Sequence, residues 1–298
     1  MRVFVTGATG FVGSAVVREL LDAGHEVVGL ARSAAAEASL AAAGARAHPG
    51  ALDDPVSLRD GAKAADGVIH TAFVHDFSDY SGAAHTDLRA VETLGAALAG
   101  SGRPLVVTSA IAVLTAGRIG TEDDAPDPTA LSAPRIPSER AALAAAENGV
   151  RASVVRLPPS VHGAGDRAFV PTLIGIARAT GVSGYPGDGS NRWAAVHRWD
   201  AARLYRLALE SAPAGSRLHA VAEEGVPLRE IAEAVGGRLG LPALPVAAEE
   251  AEGHFGWLTP FVSADTAASA ALTARRLGWR PEGPGLVADL AVGGYVNG

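Results

Sequence analysis

The strongest chemical motif in the sequence is a loop with three glycines at fixed spacing. Gly7, Gly10 and Gly13 follow the apolar run 3–5 and precede a helical pattern, the order that a dinucleotide-binding loop requires. Gly7 permits a tight turn, Gly10 leaves room for a close phosphate, and Gly13 lets the helix lie against the strand. Because a helix N-terminus offers unpaired N–H groups, we predict a pyrophosphate site here rather than an ordinary glycine-rich turn. The predicted contacts are Gly7, Thr9, Gly10, Phe11, Val12 and Gly13.

The end of the second predicted strand indicates which dinucleotide binds. A carboxylate at this point would accept hydrogen bonds from the ribose hydroxyls of NAD and would repel a 2′-phosphate. The sequence has Arg32 and Ser33 there and no carboxylate. Since a guanidinium pairs well with phosphate, we predict NADP rather than NAD. The alternative is that Arg32 is a solvated surface cation.

Strands and helices that alternate along the first half must position this loop. Such alternation is typical of a parallel sheet covered by helices on both faces. The predicted strands are 3–6, 26–30, 45–47, 67–71, 104–108 and 152–156, and the predicted helices are 14–23, 34–43, 55–64, 86–99 and 138–148. The fold class is therefore α/β, a doubly wound parallel sheet of the Rossmann type with six or more strands.

The pattern becomes looser after Leu157, and glycine and proline clusters there predict loops. We expect residues 1–158 to form a dinucleotide-binding domain. Residues 159–298 should return a helix and a strand to the sheet and form a small C-terminal lobe that binds the substrate. In this second part the predicted loops are 158–159, 163–165 and 181–189, the returning elements are 200–210 and 218–221, and the lobe helices are 228–239 and 265–277.

The composition excludes several classes of function. The chain has 298 residues, of which 48% are hydrophobic, and a formal net charge of -7, so it offers no basic surface for nucleic acid or anionic lipid. No apolar run is long enough to span a bilayer, and the first strand begins too early to leave room for a signal peptide. Without cysteine there is no thiolate metal site or cysteine nucleophile. We expect a cytoplasmic protein without a metal, and the high Ala and Gly content suggests a bacterial genome.

Several landmarks along the chain together resemble the extended short-chain dehydrogenase/reductase family, also called the NAD-dependent epimerase/dehydratase family. Besides the glycine loop they are the segments 50–53, 68–72, 156–163, 195–200 and 276–281, so the resemblance covers essentially the whole chain. It implies an oxidoreductase with a small-molecule substrate. It also implies further cofactor contacts at Leu52 and Asp53 near the adenine, at Thr71, Ala72 and Phe73 after the fourth strand, and at Pro158 and Pro159 over the nicotinamide.

The chain departs from the resembled family at the residues that move protons. The family uses a Tyr and a Lys four residues apart on one helix face, and a Ser or Thr after the fifth strand. Here Ile136 takes the Tyr position and Arg140 the Lys position, and the hydroxyl position falls on Ala110, or on Ser109 after a shift of one residue. Arg140 can still hold a ribose or a phosphate, but it is too basic to donate a proton.

Other polar residues are candidates for the missing chemistry. His162 follows the two prolines and could donate a proton to a substrate, although a structural histidine fits the sequence equally well. With Ser109 and Arg140 it makes up the set of candidate catalytic residues. The candidates that line the substrate site are His75, Tyr185, Trp193 and His197, and no spacing of ligand residues indicates a metal site.

Three hypotheses of function follow from this pattern. The first is an NADP-dependent oxidoreductase that acts on a small carbonyl, imine or activated alkene, with hydride transfer from the cofactor and a non-standard proton source. The second is an NADP-binding sensor or scaffold without turnover. Epimerase or dehydratase chemistry is the third, and it is disfavoured because it depends still more on a tuned acid and base. Helices 86–99 and 138–148 would permit a homodimer.

Overall fold

The computed structural model describes residues 1–76, 78–292 and 295. A parallel sheet of seven strands lies at the centre, in the spatial order β10-β6-β5-β4-β1-β2-β3. The strands of this sheet are β1 (Arg2–Thr6), β2 (Glu26–Ala31), β3 (Arg46–Pro49), β4 (Gly67–His70), β5 (Pro104–Ala110), β6 (Arg151–Leu157) and β10 (Ser216–His219). The order reverses between β1 and β4, and in such sheets ligands bind at the carboxyl ends of the strands beside this point. The doubly wound α/β fold predicted from the sequence is confirmed.

Helices cover both faces of the sheet, and others belong to the C-terminal part of the chain. In chain order the helices are α1 (Phe11–Asp22), α2 (Ala34–Ala42), α3 (Pro55–Lys63), α4 (Tyr80–Leu98), α5 (Ile136–Glu147), α6 (Phe169–Thr180), α7 (Arg198–Ser211), α8 (Leu228–Leu239), α9 (Ala248–Phe255), α10 (Thr259–Val262), α11 (Ala271–Leu277) and α12 (Leu286–Val292). Helices α1 and α7 pack on one face, and α3, α4 and α5 pack on the other. None of the helices in the described part of the chain has the length and apolarity needed to cross a membrane.

The core on the α1 and α7 face joins the two halves of the chain. Val5 of β1 lies in one buried cluster with Leu204 and Tyr205 of α7 and with Trp279. The Trp279 indole N–H donates to the carbonyl of Asp200 at 3.0 Å, which satisfies its polar atom inside the core. The late segments therefore complete the core of the early ones.

A C-terminal lobe with two small sheets lies beyond β6. One sheet joins β7 (Ser160–His162), β9 (Arg192–His197) and β11 (Glu223–Pro227), and the other pairs β8 (Ser183–Pro186) with β12 (Ala243–Val246). A second core of α6, α8 and α9 residues, among them Leu173, Ile231 and Phe255, fills this lobe. Strand β7 follows β6 directly after Pro158 and Pro159, so the lobe begins at the carboxyl edge of the central sheet.

The main differences from the sequence-based elements fall in the lobe. The segment 181–189 contains strand β8, where a loop was predicted. The predicted helix 265–277 is helical only over Ala271–Leu277, because the preceding residues pair with β9 and with the loop after β5. Helix α4 begins six residues before the predicted start, since the Asp79 side chain accepts a hydrogen bond from the N–H of Gly82 and caps it there.

Candidate functional site

The glycine loop forms a backbone cradle between β1 and α1. Gly7 has a φ of 68°, and a Cβ there would lie 2.7 Å from the backbone nitrogen of Ala72. A Cβ on Gly13 would lie 2.0 Å from the carbonyl oxygen of Gly7, which no side chain can tolerate. Helix α1 has no side-chain cap at Gly10 and no acidic residue in its first turn. The cradle therefore fits a pyrophosphate that approaches the backbone closely.

The segment after β4 lies against this cradle. The hydroxyl of Thr71 donates to the carbonyl of Thr6 at 2.7 Å, and Thr71 and Ala72 both approach Gly7. The next residue, Phe73, stacks against Arg135, whose guanidinium carbon lies 4.2 Å from the centroid of the ring. These residues are thus close to one another at one edge of the sheet.

Arg32, the cation on which the prediction of NADP depends, directly follows β2. Arg32 is exposed, and it makes no hydrogen bond or ion pair with the residues that the structure describes. The Ser33 hydroxyl accepts from the N–H of Ala36 and caps α2, so it is already used locally. Asp53 is exposed and Leu52 is half-buried at the start of the turn before α3.

Ile136 and Arg140, the residues predicted to take the positions of the family's Tyr and Lys, differ sharply in exposure. Ile136 is buried in a small apolar cluster with Val113 and Leu114, so it presents no polar group. Arg140 is exposed, and within the described ranges nothing pairs with its guanidinium. Pro158 is buried and Pro159 half-buried beyond β6.

Ser109, a predicted catalytic residue, is buried. Its hydroxyl is buried and donates to Oε2 of Glu139 at 2.8 Å. Glu139 in turn pairs with the guanidinium of Arg156, with 2.6 Å between Oε1 and Nη2. Burial alone would raise the pKa of Glu139, but Arg156 and Ser109 together lower it. Ser109 therefore supports a buried ion pair and has no free hydroxyl for a substrate.

A second buried network lies beside the first. His70 bridges Thr6 and Asp87, with 2.8 Å from Nδ1 to the Thr6 hydroxyl and 3.0 Å from Nε2 to Asp87 Oδ1. Burial would raise the pKa of Asp87, but the nearby Arg135 and His70 lower it. Arg135 also donates to the carbonyl of Thr108 at 3.0 Å. The two networks hold the ends of β4 and β5 against α4 and α5.

His162, the predicted proton donor, is fully buried. Its Nδ1 lies 2.9 Å from Oδ2 of Asp289 in α12, and its ring packs edge-on against His197 with 5.4 Å between centroids. The Tyr295 hydroxyl accepts a hydrogen bond from the N–H of Gly163 at 2.6 Å and closes the cluster. Burial and the neighbouring His162 lower the pKa of His197. His162 thus holds the C-terminal helix in place, and its role as a donor to substrate is not supported.

Two of the predicted substrate-lining residues belong to the core of the lobe. Trp193 has no exposed surface, and its indole N–H donates to the carbonyl of Phe261 at 3.0 Å. Tyr185 is 9% exposed in β8 and lies beneath the guanidinium of Arg229. His197 is equally buried, whereas His75 lies exposed in the loop after β4. Partial loss of hydration and then the charge of Arg135 lower the pKa of His75.

The structure also brings residues to the site that sequence reasoning did not select. Arg135, the N-cap of α5, and Glu139 in its first turn are four residues apart, and this spacing could have indicated a charged side at the start of the helix. Arg198, the first residue of α7, reaches the start of α1, with its guanidinium carbon 4.8 Å from the centroid of the Phe11 ring. No local pattern in the sequence predicts that approach, because α1 and α7 meet only in the tertiary fold.

Comparisons with known proteins agree with this geometry. The model of the NAD dependent epimerase/dehydratase family matches residues 3–221. An uncharacterized protein of Schizosaccharomyces pombe is 54% identical over 297 residues, which cover 99% of this chain and 100% of that protein. The 2-alkyl-3-oxoalkanoate reductase of Stenotrophomonas maltophilia is 30% identical over 257 residues, 81% of this chain and 77% of the reductase. The solved structure of MoeE5 in complex with UDP-glucose and NAD is 25% identical, covers 98% of this chain and 96% of that one, and has a TM-score of 0.78.

Proposed function

The chain belongs to the NAD-dependent epimerase/dehydratase family, and we propose that it is an NADP-dependent reductase of small carbonyl compounds, imines or activated alkenes. Its NAD(P)-dependent oxidoreductase class rests on the family match and on similar proteins named as reductases. When bound, the nicotinamide supplies the hydride. Two parts of the proposal go beyond the family match and the similar reductases: the choice of NADP over NAD, and the class of substrate.

The observation that carries the choice of NADP is the exposed Arg32 at the carboxyl end of β2, which pairs with no carboxylate among the residues that the structure describes. A 2′-phosphate would pair with this guanidinium, and an Asp or Glu that would favour NAD is absent from residues 31–33. We expect Arg32→Ala to weaken NADPH binding by roughly tenfold, about the contribution of one charge-assisted contact. NADH binding should stay within twofold.

Fluorescence titration with both nucleotides measures this difference directly. Arg18→Ala is the matched control, because Arg18 is an exposed arginine of α1 that pairs with Asp22 far along the helix. Equal losses for NADPH and NADH in Arg32→Ala would exclude a 2′-phosphate contact. Tighter binding of NADH than of NADPH by the unmodified chain would reverse the proposed preference.

Reduction without a tyrosine donor requires a different source of the proton. Ile136 and Ala110 carry no acidic proton, and His162 and Ser109 are buried in other contacts. We therefore infer that the proton comes from solvent, while this chain positions the carbonyl carbon for hydride transfer. The decisive experiment is a panel of ketones, aldehydes, imines and enones with NADPH deuterated at C4. Deuterium in a reduced product supports the proposal, and no product from any class opposes it.

A cofactor-binding sensor without turnover is the second candidate. It is favoured by the apolar Ile136 at the position of the family's proton donor. In that case NADPH would still bind, the panel would give no product, and a partner protein would bind with different affinity in the presence and absence of NADPH. Turnover of one panel compound well above the uncatalysed rate would decide for the reductase.

A further inference from the structure

Arg198 places a cation at the N-terminal end of α1. Its Nη2 lies 3.4 Å from the hydroxyl of Ser14, and its Nη1 donates to the carbonyl of Ala164 at 2.8 Å. Its guanidinium carbon lies 4.8 Å from the ring centroid of Phe11 and 4.7 Å from that of Trp199. These contacts hold the guanidinium between the glycine cradle and the loop after β7.

The charge of Arg198 lacks a counter-ion. Within the described part of the chain no carboxylate lies at ion-pair distance, and its buried Nε has no hydrogen-bond partner. The other two arginines of α7 behave differently, since Arg203 pairs with Asp200 and Arg206 with Glu19. Burial lowers the pKa of Arg198, but a guanidinium stays charged at neutral pH. A half-buried cation without a carboxylate partner favours binding of an anion beside it.

The local backbone is built around this side chain. Gly163 has a φ of 137°, and a Cβ on it would lie 3.0 Å from both Cγ and Cδ of Arg198. The first turn of α1 carries no acidic residue that could neutralise the cation, and the helix dipole adds positive potential at the same place. The cradle, the helix end and Arg198 thus converge on one position for a ligand with at least two negative charges.

We propose that Arg198 binds the pyrophosphate of the nicotinamide dinucleotide, together with the backbone N–H groups of the glycine loop. This inference rests on the proposed binding of that cofactor. The pyrophosphate is common to NADP and NAD, whereas the 2′-phosphate is assigned to Arg32 at the end of β2. The two arginines therefore act on different parts of one ligand. Substitution of Arg32 should weaken the binding of NADPH alone, whereas substitution of Arg198 should weaken the binding of NADPH and NADH equally.

The test compares dissociation constants for NADPH and NADH in Arg198→Met, which keeps the apolar stem and removes the charge. Loss of a charge-assisted contact should weaken both nucleotides by about ten- to a hundredfold. The factors should be equal, and the dependence of log Kd on log salt concentration should become shallower. Arg198→Lys, which keeps the charge without the planar fork, should be intermediate. Arg18→Met should change neither constant by more than twofold.

Three results would overturn the proposal. They are unchanged constants in Arg198→Met, a loss confined to NADPH, and equal losses in Arg198→Met and Arg198→Lys with an unchanged salt dependence. Circular dichroism and melting temperature establish that each variant is folded, and Arg198→Lys carries the test if the Met variant is not. Because the readout is binding, it separates this inference from the reductase proposal. A chain that binds through Arg198 but reduces nothing refutes only the latter, and turnover with no effect of Arg198→Met refutes only the former.

Discussion

Replacement of Glu139 by Gln should destabilise the fold far more than loss of a surface charge. Both partners of the Glu139–Arg156 ion pair have fully buried side chains, and Arg217 also approaches Glu139, at 3.4 Å. The Gln variant keeps the shape but leaves two arginines without their carboxylate. Removal of one member of a buried pair costs about 3–5 kcal/mol. For a chain of this size we expect the melting temperature to fall by roughly 10 °C.

Urea unfolding followed by circular dichroism measures the free energy, and Asp22→Asn is the matched control. Asp22 also pairs with an arginine, Arg18, but both side chains are more than half exposed. The same change from acid to amide should there cost less than about 0.5 kcal/mol. A loss below about 1 kcal/mol in Glu139→Gln would show that the buried pair contributes little and would refute this reasoning.

Three further predictions concern the cradle, the buried histidine and the exposed arginine. Gly13→Ala should lower the free energy of unfolding by about 1–3 kcal/mol and abolish cofactor-induced stabilisation, because its Cβ would lie 2.0 Å from a carbonyl oxygen. The control is Gly175→Ala in α6, where an added Cβ has open space around it, so this variant should be neutral or stabilising. Equal effects of the two substitutions would contradict the prediction. Burial, then Arg156, lowers the pKa of His219 from 6.5 to about 4, so the unfolded chain binds the proton first and stability falls as the pH drops through that range. In urea unfolding across that range, the free energy of unfolding of His219→Asn should fall less steeply with decreasing pH than that of the unmodified chain. An unchanged slope would exclude His219 as a source of the pH dependence. Arg140→Ala should weaken NADPH binding several-fold without a change in melting temperature, because the side chain is exposed; an unchanged Kd would remove Arg140 from the cofactor site.

Local patterns were sufficient to predict the central sheet. Apolar runs such as 3–5 and 104–108 are short and bounded by turn residues, and helices with one apolar face separate them, so the parallel arrangement follows. The return of a strand after 211 was also predictable, and β10 confirms it. The strands of the lobe were not, because β8 lies within a glycine-rich segment and is stabilised by its distant partner β12.

The candidate site was predictable only where function depends on the backbone. Gly7 has a positive φ, and at both Gly7 and Gly13 a Cβ would clash with the neighbouring backbone, so their positions carry information in a single sequence. The positions of polar side chains do not carry this information in a single sequence. His162 and Ser109 have the chemistry of proton donors, but their burial against Asp289 and Glu139 is a property of the tertiary fold. Arg198 and Arg135 depend on the same long-range packing.

The late position of α7 and β10 in the chain has a consequence for synthesis on the ribosome. When residue 158 has emerged, β6 is still an open edge of the sheet, and the face beneath Leu204 and Tyr205 has no cover. The open edge is covered by β10 and the apolar face by α7, and both are present only after about sixty more residues have been synthesised. Exposed strand edges and apolar faces promote aggregation of nascent chains. The sheet of the N-terminal half is therefore completed only when β10 has been synthesised. A truncation before residue 219 would leave the edge of β6 open to pairing with another copy of the chain.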